Sequence, residues 1–501
     1  MNTTQAKIKE NRTKEQRRAT VETPGLAQME MAARWDTISD LLLGTKGVRA
    51  LRSKHIPQEP NEEAEDYNVR LSRTFLFEAL KDTIDKVSSK PFEQPVDVSN
   101  DMLPETLQGI SANVDGCGTS LNSQAKVVFK DGVTRGIMHV LVDAPDNPER
   151  RVGEGFRPQF IHIPAADIIA AKTVYDPEQG ARVLSSLRYW RTKTEEVPGN
   201  EYGEIQVRYV TEWERTRWRL HLPDADGELV PQPWTVNSFR SAVGGGIPLV
   251  TKYLAADGEF MAAPPFSKLA DLNVEHLQKS SDHTNLGRFA AVGVLALYGF
   301  EGTDAHGNPT TFSWGPRNTL RSEKTDAKAQ ILEHTGSALG TLSDGIQQVE
   351  ERMEGMGLEP FQRRSGAETA TGKAMHAGKS DTAIRDWVRE IEALYVECYK
   401  LAAEWLSPVS TGSLSLEIPE DFRAKFFTDF SPPLLKGADD TPHLIKFRER
   451  EEISHETFLA EGVRRGILSP EVSYEREIER LENEAPQMPP PSGTELGGED
   501  G

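Results

Sequence analysis

Cysteine is nearly missing: only Cys117 and Cys398 occur in 501 residues. With no export signal ahead of them, both are expected as reduced thiols rather than a disulfide. Cys398 falls on the apolar face of a helical pattern and reads as a small core hydrophobe. Long hydrophobic runs are missing as well. Nothing approaches the ~18 consecutive apolar residues of a membrane span, and the longest stretch, Ala290 to Phe300, is interrupted by glycines. The opening residues MNTTQAKIKENRTKEQRR are basic with no apolar segment behind them, unlike a secretory signal. The chain is therefore expected in the cytosol or in a particle. Positive charge is in short supply: the formal net charge is −20. Counterion release from phosphates supplies most of the affinity for duplex DNA, so this balance excludes a tight, extensive grip on it. No internal repeat is visible.

What is present is enough for packed cores, with 37% hydrophobic and 27% charged residues. At roughly 150 residues per domain the length suggests about three domain-sized units. Residues 1–25 read as a basic, disordered arm, with six basic and two acidic residues among the first 20. Trp35, Ile38, Leu41 and Leu42, then Leu76, Leu80, Ile84 and Val87, recur at helical spacing, and Pro91 and Pro95 end the second pattern. From about 125 to 260 the pattern predicts a mostly antiparallel sheet. Its strands are Val127-Val128-Phe129, the run from Gly136 to Asp143, and the alternating Ile205, Val207, Tyr209 and Trp213. A turn is expected at Asp226-Gly227.

Beyond Pro264-Pro265 the chain reads as mainly helical. A helix from Ser267 to about Phe289, roughly 35 Å long, carries the polar run Gln278 to Asn285. Such a helix is expected to cross solvent or to pack against copies of itself rather than sit in a monomer core. Leu339, Leu342, Ile346, Val349, Met353 and Met356 repeat at three- and four-residue steps, either a coiled-coil-like seam or ordinary core packing. Another apolar stripe runs from Ile384 to Trp405. Strand-like residues follow at Leu414–Ile418, then a helical stretch from Pro442 to Gly462. From Glu471 onward, nine acidic and two basic residues with four prolines predict a disordered tail.

Several fragments imitate active sites. Gly378-Lys379-Ser380 ends like a phosphate loop, but Lys373 stands where the first glycine belongs and Gly372 is one residue out of register. Asp115-Gly-Cys-Gly-Thr-Ser120 lacks the spacing of a dinucleotide fingerprint. His276 and His283 share a helix face beside Asp282, but the i,i+4 pair of a zinc protease is absent. No catalytic triad can be ordered, and the chain reads as a non-enzyme without cofactor or metal.

Spaced motifs carry a resemblance. Trp35-Asp-Thr-Ile-Ser-Asp40 precedes Gly44, followed by Pro57-Gln-Glu-Pro-Asn-Glu62, Asp66-Tyr67 and Arg70-Leu71. Gly136 to Pro145 and Ile247-Pro-Leu-Val250 come next. Then Pro264-Pro265 leads to Leu269-Ala-Asp-Leu-Asn273, His276, Gln278, Ser281 and Asp282. Glu368-Thr-Ala-Thr371 opens the helix ending at Trp405-Leu406, and Ile453-Ser454 through Gly466-Ile-Leu468 completes the series. In order and spacing, over about residues 30 to 485, the chain resembles the tailed-bacteriophage portal proteins that carry the domain of unknown function 4055. Leu277 departs from the family where an aromatic is common, and Ala144 where a larger residue precedes proline, which limits residue-level transfer.

The resemblance implies an α+β portal fold with a mixed α/β wing, helical stem, small clip and helical crown. On this chain the arm is 1–25, the wing 26–263, and the stem 264–357 with a clip at about 292–321. A channel loop, long helix and crown-like region take 358–470, and the acidic tail 471–501. Further implications are a ring of about twelve subunits and docking to the terminase large subunit, then to head-completion or adaptor proteins, with scaffold or major capsid protein around it. Double-stranded DNA passes non-specifically through the channel, with no membrane involved. The expected location is the capsid portal vertex of the virion, and the host cytoplasm during assembly. An acidic wall suits a conduit that must not hold DNA. The sparse cations expected to centre DNA are Lys268, Lys279 and Arg288 on the stem, and Arg363 and Arg364 on the channel loop. Competing classes are a terminase-like nuclease or ATPase, and another structural virion protein such as a head-tail adaptor or minor capsid protein.

Overall fold

A computed structural model of the chain describes residues 19–144, 157–177, 180–197, 200, 202–237, 239, 246–292, 294–300, 325–332, 337–356, 370–406, 417–430, 441–450, 452–464, 468, 477–478 and 480. The architecture is α+β. Two compact units are distinguished: Met1–Ser365 with Ala383–Phe427, and Gly366–Thr382 with Thr428–Gly501.

The first unit begins with helices α1 (Leu26–Leu42), α2 (Gly44–Leu51), α3 (Ala64–Arg73) and α4 (Ala79–Ser89). Met31, Trp35, Ile38 and Leu41 of α1 are buried, as helical spacing requires. After the short β1 (Asp97–Val98) comes α5 (Leu121–Arg135). This corrects the reading of Val127–Phe129 as a strand. Ser120 caps the helix, its Oγ accepting from Ser123 N–H at 3.3 Å. Leu121, Ala125, Val128, Phe129 and Val133 are buried at helical spacing while Val127 is exposed. The β-branched pair matched strand propensity locally, but the burial period is that of a helix. Gly136 ends α5 at φ +88°, where a Cβ would overlap the carbonyl oxygen of Ala263.

Two sheets follow. In the smaller, β2 (Ile137–Asp143) lies between β3 (Gln159–His162) and β10 (Leu249–Tyr253), antiparallel to both. The larger is an antiparallel meander of β4 (Ile168–Asp176), β5 (Ala181–Glu196), β6 (Glu204–Glu214), β7 (Arg217–Pro223) and β8 (Leu229–Pro231), with β9 (Thr235–Val236) also on β7. Leu187 and Tyr189 of β5, with Trp213 of β6, pack against Leu141 of β2 in one core cluster. The alternating positions, Arg188 and Trp190 opposite Glu212 and Val210, lie on the other face. The expected turn stands between β7 and β8, with Asp224 Oδ1 accepting from the Asp226 and Glu228 N–H groups.

The hairpin of β11 (Ala256–Gly258) and β12 (Met261–Ala262) leads through Pro264-Pro265 into α6 (Ser267–Val292). An antiparallel pair, β13 (Val294–Tyr298) and β14 (Lys328–Leu332), separates α6 from α7 (Ser337–Met356). Most of the expected clip at 292–321 lies outside the described residues. On α8 (Ala370–Leu406), Ile384, Val388, Ile391, Leu394, Tyr395, Cys398 and Ala402 are fully buried, as their spacing predicts. Of the strand expected at Leu414–Ile418, residues 414–416 are not described and 417–418 are not in a strand. The last strand is β15 (Ala424–Lys425), paired with β1.

The second unit contains α9 (Thr441–Glu449) and α10 (His455–Arg464). The helical stretch expected from Pro442 to Gly462 is thus broken in two. Ser454 restarts it, its Oγ accepting from Thr457 N–H at 3.0 Å. Nearly all of the acidic tail lies outside the described residues.

Candidate functional site: a polar socket around helix α6

One face of the polar helix is buried within its own chain, where the expectation kept it out of a monomer core, while most of the polar run Gln278–Asn285 is half-buried or exposed. Asn273, His276 and Ser281 are 0%, 6% and 2% exposed. Each finds its partner within the same chain. Asn273 Oδ1 accepts from Leu80 N–H at 3.1 Å, and its Nδ2 donates to Phe77 O at 2.7 Å. No side chain of α4's own flank caps that helix. Asn273 thus satisfies from outside one of the N–H groups that a helix N-terminus leaves over. His276 Nε2 lies 3.1 Å from Glu350 Oε1 of α7 and its ring 5.2 Å from that of Phe77. Gln278 Nε2 donates to His55 O at 3.0 Å. Ser281 Oγ lies 2.9 Å from Thr74 Oγ1.

Arg70 of α3 is the hub. Its Nε and Nη2 reach Glu62 Oε1 and Oε2 at 2.8 and 2.7 Å, and Nη2 also donates to Pro57 O at 2.6 Å. Asp282 Oδ1 stands 3.7 Å away, and the guanidinium lies 5.4 Å from the Tyr67 ring centre, with that of Arg52 at 5.1 Å. Hydrogen bonds from Arg70 hold the Glu62 carboxyl below the usual range. Burial pushes the Asp282 carboxyl up, only partly offset by Arg70. Tyr67 OH donates to Ile56 O at 2.8 Å. One layer further out, Asp40 Oδ2 meets His55 Nε2 at 2.7 Å and Lys54 Nζ at 2.5 Å. Burial alone would raise the Asp40 carboxyl, but the hydrogen bonds from Lys54 and His55 outweigh it and hold it low.

This arrangement brings motif residues from three distant segments, Asp40, Pro57–Glu62 with Tyr67 and Arg70, and Asn273–Asp282, into one network. Chemically it fastens: donors and acceptors are matched, and the buried charges are paired. The spacing gave no sign of this, because the partners of Asn273, Gln278 and Ser281 stand 193 to 223 residues earlier.

The cations expected to face DNA are distributed differently. Lys268 is exposed in the first turn of α6. Lys279 Nζ is bound to Glu275 Oε1 at 2.8 Å, and Arg352 of α7 reaches the other oxygen at 3.2 Å. Arg288 is half-buried. At about 100° per residue, Lys268 and Lys279 share a helix face and Arg288 lies on the opposite one, so the three form no single stripe. Arg363 and Arg364 lie outside the described residues. The seam of α7 pairs with α6 of the same chain: Gly287 faces Leu339 and His276 faces Glu350, an antiparallel register. Val349 and Met353 are fully buried there.

Gly378-Lys379-Ser380 lies within the continuous backbone of α8, where no phosphate-cradling loop can form. Among the described residues no group of three His, Cys, Asp or Glu side chains is placed to hold a metal ion. No described helix is long and apolar enough to cross a membrane.

A family profile described as a domain of unknown function, number 4055, matches residues 265–406, which include α6, α7 and α8. No curated protein matches the chain. Among solved structures, a chain from the neck of an empty gene transfer agent particle, obtained with C6 symmetry, is 11% identical. The alignment covers 76% of this chain and 88% of that one, with a TM-score of 0.38. A chain from the native particle's neck, with C12 symmetry, is 12% identical over 83% of this chain and 98% of that one, also at 0.38. A third, from the native virion of that agent, is 11% identical over 80% and 89%, at 0.34. Scores at this level do not establish a common fold.

Proposed function

We propose that this chain is the subunit of a tailed-bacteriophage portal, a ring at one capsid vertex through which DNA is packaged and ejected. The observation that carries the reading is the ordered series of motifs from Trp35 to Leu468. The matched family profile covers the segment holding the most specific of them, from Pro265 through Asp282. The socket adds a physical reason for those residues to occur together: a stem helix under load must be fixed to the wing that carries it. In this reading residues 26–263 are the wing and 264–357 the stem, with the clip at about 292–321. Residues 358–470 form the channel loop, long helix and crown. The terminase large subunit docks during packaging, and head-completion proteins dock afterwards. The protein acts as a conduit and catalyses nothing.

Native mass spectrometry of the purified protein tests the proposal. A closed ring of about twelve copies is expected, since cyclic closure leaves no open end. A chain that stays monomeric at micromolar concentration, even with scaffold protein, overturns it. A subunit number in purified particles other than one ring per head would point to an adaptor or minor capsid protein.

A further inference from the structure

The long hairpin of the larger sheet outruns the strands beside it. β5 pairs with β4 only as far as Tyr189, opposite Ile168, and β6 with β7 only as far as Val210, opposite His221. Beyond those points 191–196 and 204–209 pair with each other alone, a ribbon roughly 20 Å long at ~3.4 Å per residue. An isolated two-stranded ribbon is only marginally stable in water, and this one leaves apolar groups uncovered. Ile205, Val207 and Tyr209 continue outward the row begun by Thr211 and Trp213 in the core. Ile205 is exposed, and Tyr202 in the turn is 89% exposed. The charged groups around them are Glu195, Glu196 and Glu204, with Lys193 bound to Glu195. The tip is apolar and acidic together.

A surface of the opposite charge lies along α2. Arg52 Nη2 donates to Asn68 Oδ1 at 2.9 Å, Arg49 Nε to Thr74 O at 2.8 Å, and Leu76 N–H to Thr45 Oγ1 at 3.2 Å. These bonds lay 67–77 beside 43–54, and the two segments hold six lysines and arginines and no carboxylate. Lys54 is taken by Asp36 and Asp40, and Arg70 by Glu62. Among the described residues, none of Lys46, Arg49, Arg52 and Arg73 is paired with a carboxylate. The acids nearest in sequence are Glu65 and Asp66, on the first turn of α3, and Glu78, held by Lys81 at 3.1 Å. Phe75 stands between the two residues fastened to α2 and is 66% exposed; Leu43, at the head of α2, is exposed as well. A phosphate backbone would match the cations but leave both apolar side chains in water. The occupant that fits is acidic and apolar at once.

We propose that the ribbon tip of one copy of this chain docks on the α2 surface of another. Tyr202 and Ile205 cover Phe75 and Leu43, and Glu195, Glu196 and Glu204 face Lys46, Arg49, Arg52 and Arg73. Tyrosine and arginine are the side chains that most often anchor an interface. The two surfaces differ, so each copy gives a ribbon to one neighbour and a seat to the other, and such a contact repeats until it closes. The inference names a contact for the ring proposed above and rests on that reading only for closure.

Sedimentation velocity of the full chain and of charge-reversed variants tests the contact. Glu196→Lys with Glu204→Lys, or Lys46→Glu with Arg73→Glu, should each weaken association at least tenfold. Circular dichroism should be unchanged, because all four positions are exposed. Combining the two pairs should restore most of the association, which a folding defect cannot do. Oxidative cross-linking supplies the second measurement, in a Cys117→Ser background that leaves only the buried Cys398. Tyr202→Cys and Phe75→Cys should cross-link when the two variants are mixed and not when either is alone. Association untouched by both reversals overturns the proposal, as does a cross-link within one variant alone. So does a peptide of residues 471–501, or a short duplex, whose binding is lost with Lys46→Glu and Arg73→Glu while association is untouched. Rings that form without the cross-link overturn this inference and not the portal reading. Cross-linked copies that never close overturn the portal reading and not this inference, and a chain that stays monomeric overturns both.

Discussion

Arg70 and Glu62 face each other edge to edge, the two nitrogens 2.8 and 2.7 Å from the two carboxylate oxygens, with both side chains under 10% exposed. Removing one member of a buried pair strands the charge of the other. Arg70→Ala is expected to lower stability by about 3–5 kcal/mol. Arg70→Lys should recover little, because a single ammonium cannot span Glu62 and the Pro57 carbonyl together. Urea denaturation of both variants measures this; a loss under ~1 kcal/mol for Arg70→Ala would show that water reaches the pair.

Asn273→Ala should cost roughly 1–3 kcal/mol for each backbone group it leaves unpaired, Leu80 N–H and Phe77 C=O. Hydrogen exchange locates the damage. Protection should fall first in the opening turn of α4, and a uniform loss over the whole unit would contradict the capping role.

His139 on β2 is 2% exposed, and burial pushes its imidazole down to about 4. The unfolded chain, titrating near 6.5, then binds a proton that the folded one refuses. Stability is full above pH ~6.5 and declines as pH falls toward 4, by at most about 3 kcal/mol at ~1.4 kcal/mol per pH unit. His139→Gln should flatten that part of the profile while keeping a polar partner for Thr251 Oγ1, now 2.9 Å from Nδ1. Identical pH profiles for the two proteins would assign the acid sensitivity elsewhere.

If the proposed portal reading holds, with Arg363 and Arg364 on a channel loop, Arg363→Ala combined with Arg364→Ala leaves assembly intact, because charges on such a loop contribute about 0–1 kcal/mol per pair. The DNA packaged or retained per head should fall. Normal packaging removes the pair from the channel, and loss of assembly places it at a subunit contact.

Where pattern and partner are close in sequence, the sequence was legible. The apolar stripe of α8, the Asp226-Gly227 turn and the start of α6 after two prolines need only neighbours within a few residues. Val127–Phe129 misled because two β-branched residues outweighed Ser120 and Gly136, the caps that bound the helix. The polarity of α6 misled for a deeper reason. Asn, His and Ser count as solvent-seeking in any periodic reading, yet a buried amide whose bonds are all made is at home in a core. Only the fold supplies Phe77, Thr74 and Glu350. The candidate cations were read one by one, and the carboxylate of Glu275 that occupies Lys279 lies a single turn away on the same helix.

The socket grips five main-chain atoms besides its side-chain pairs: the carbonyls of His55, Ile56, Pro57 and Phe77, and the amide of Leu80. Every residue type offers a carbonyl, and every type but proline an amide. The hydrogen bonds therefore place their demand on the reaching side chains, Tyr67, Arg70, Asn273 and Gln278, and little on the segments they reach. Apart from His55 and Glu62, whose side chains meet Asp40 and Arg70, the segment 55–62 is left open to drift, so its outward surface can change to suit new neighbours while the seat stays the same.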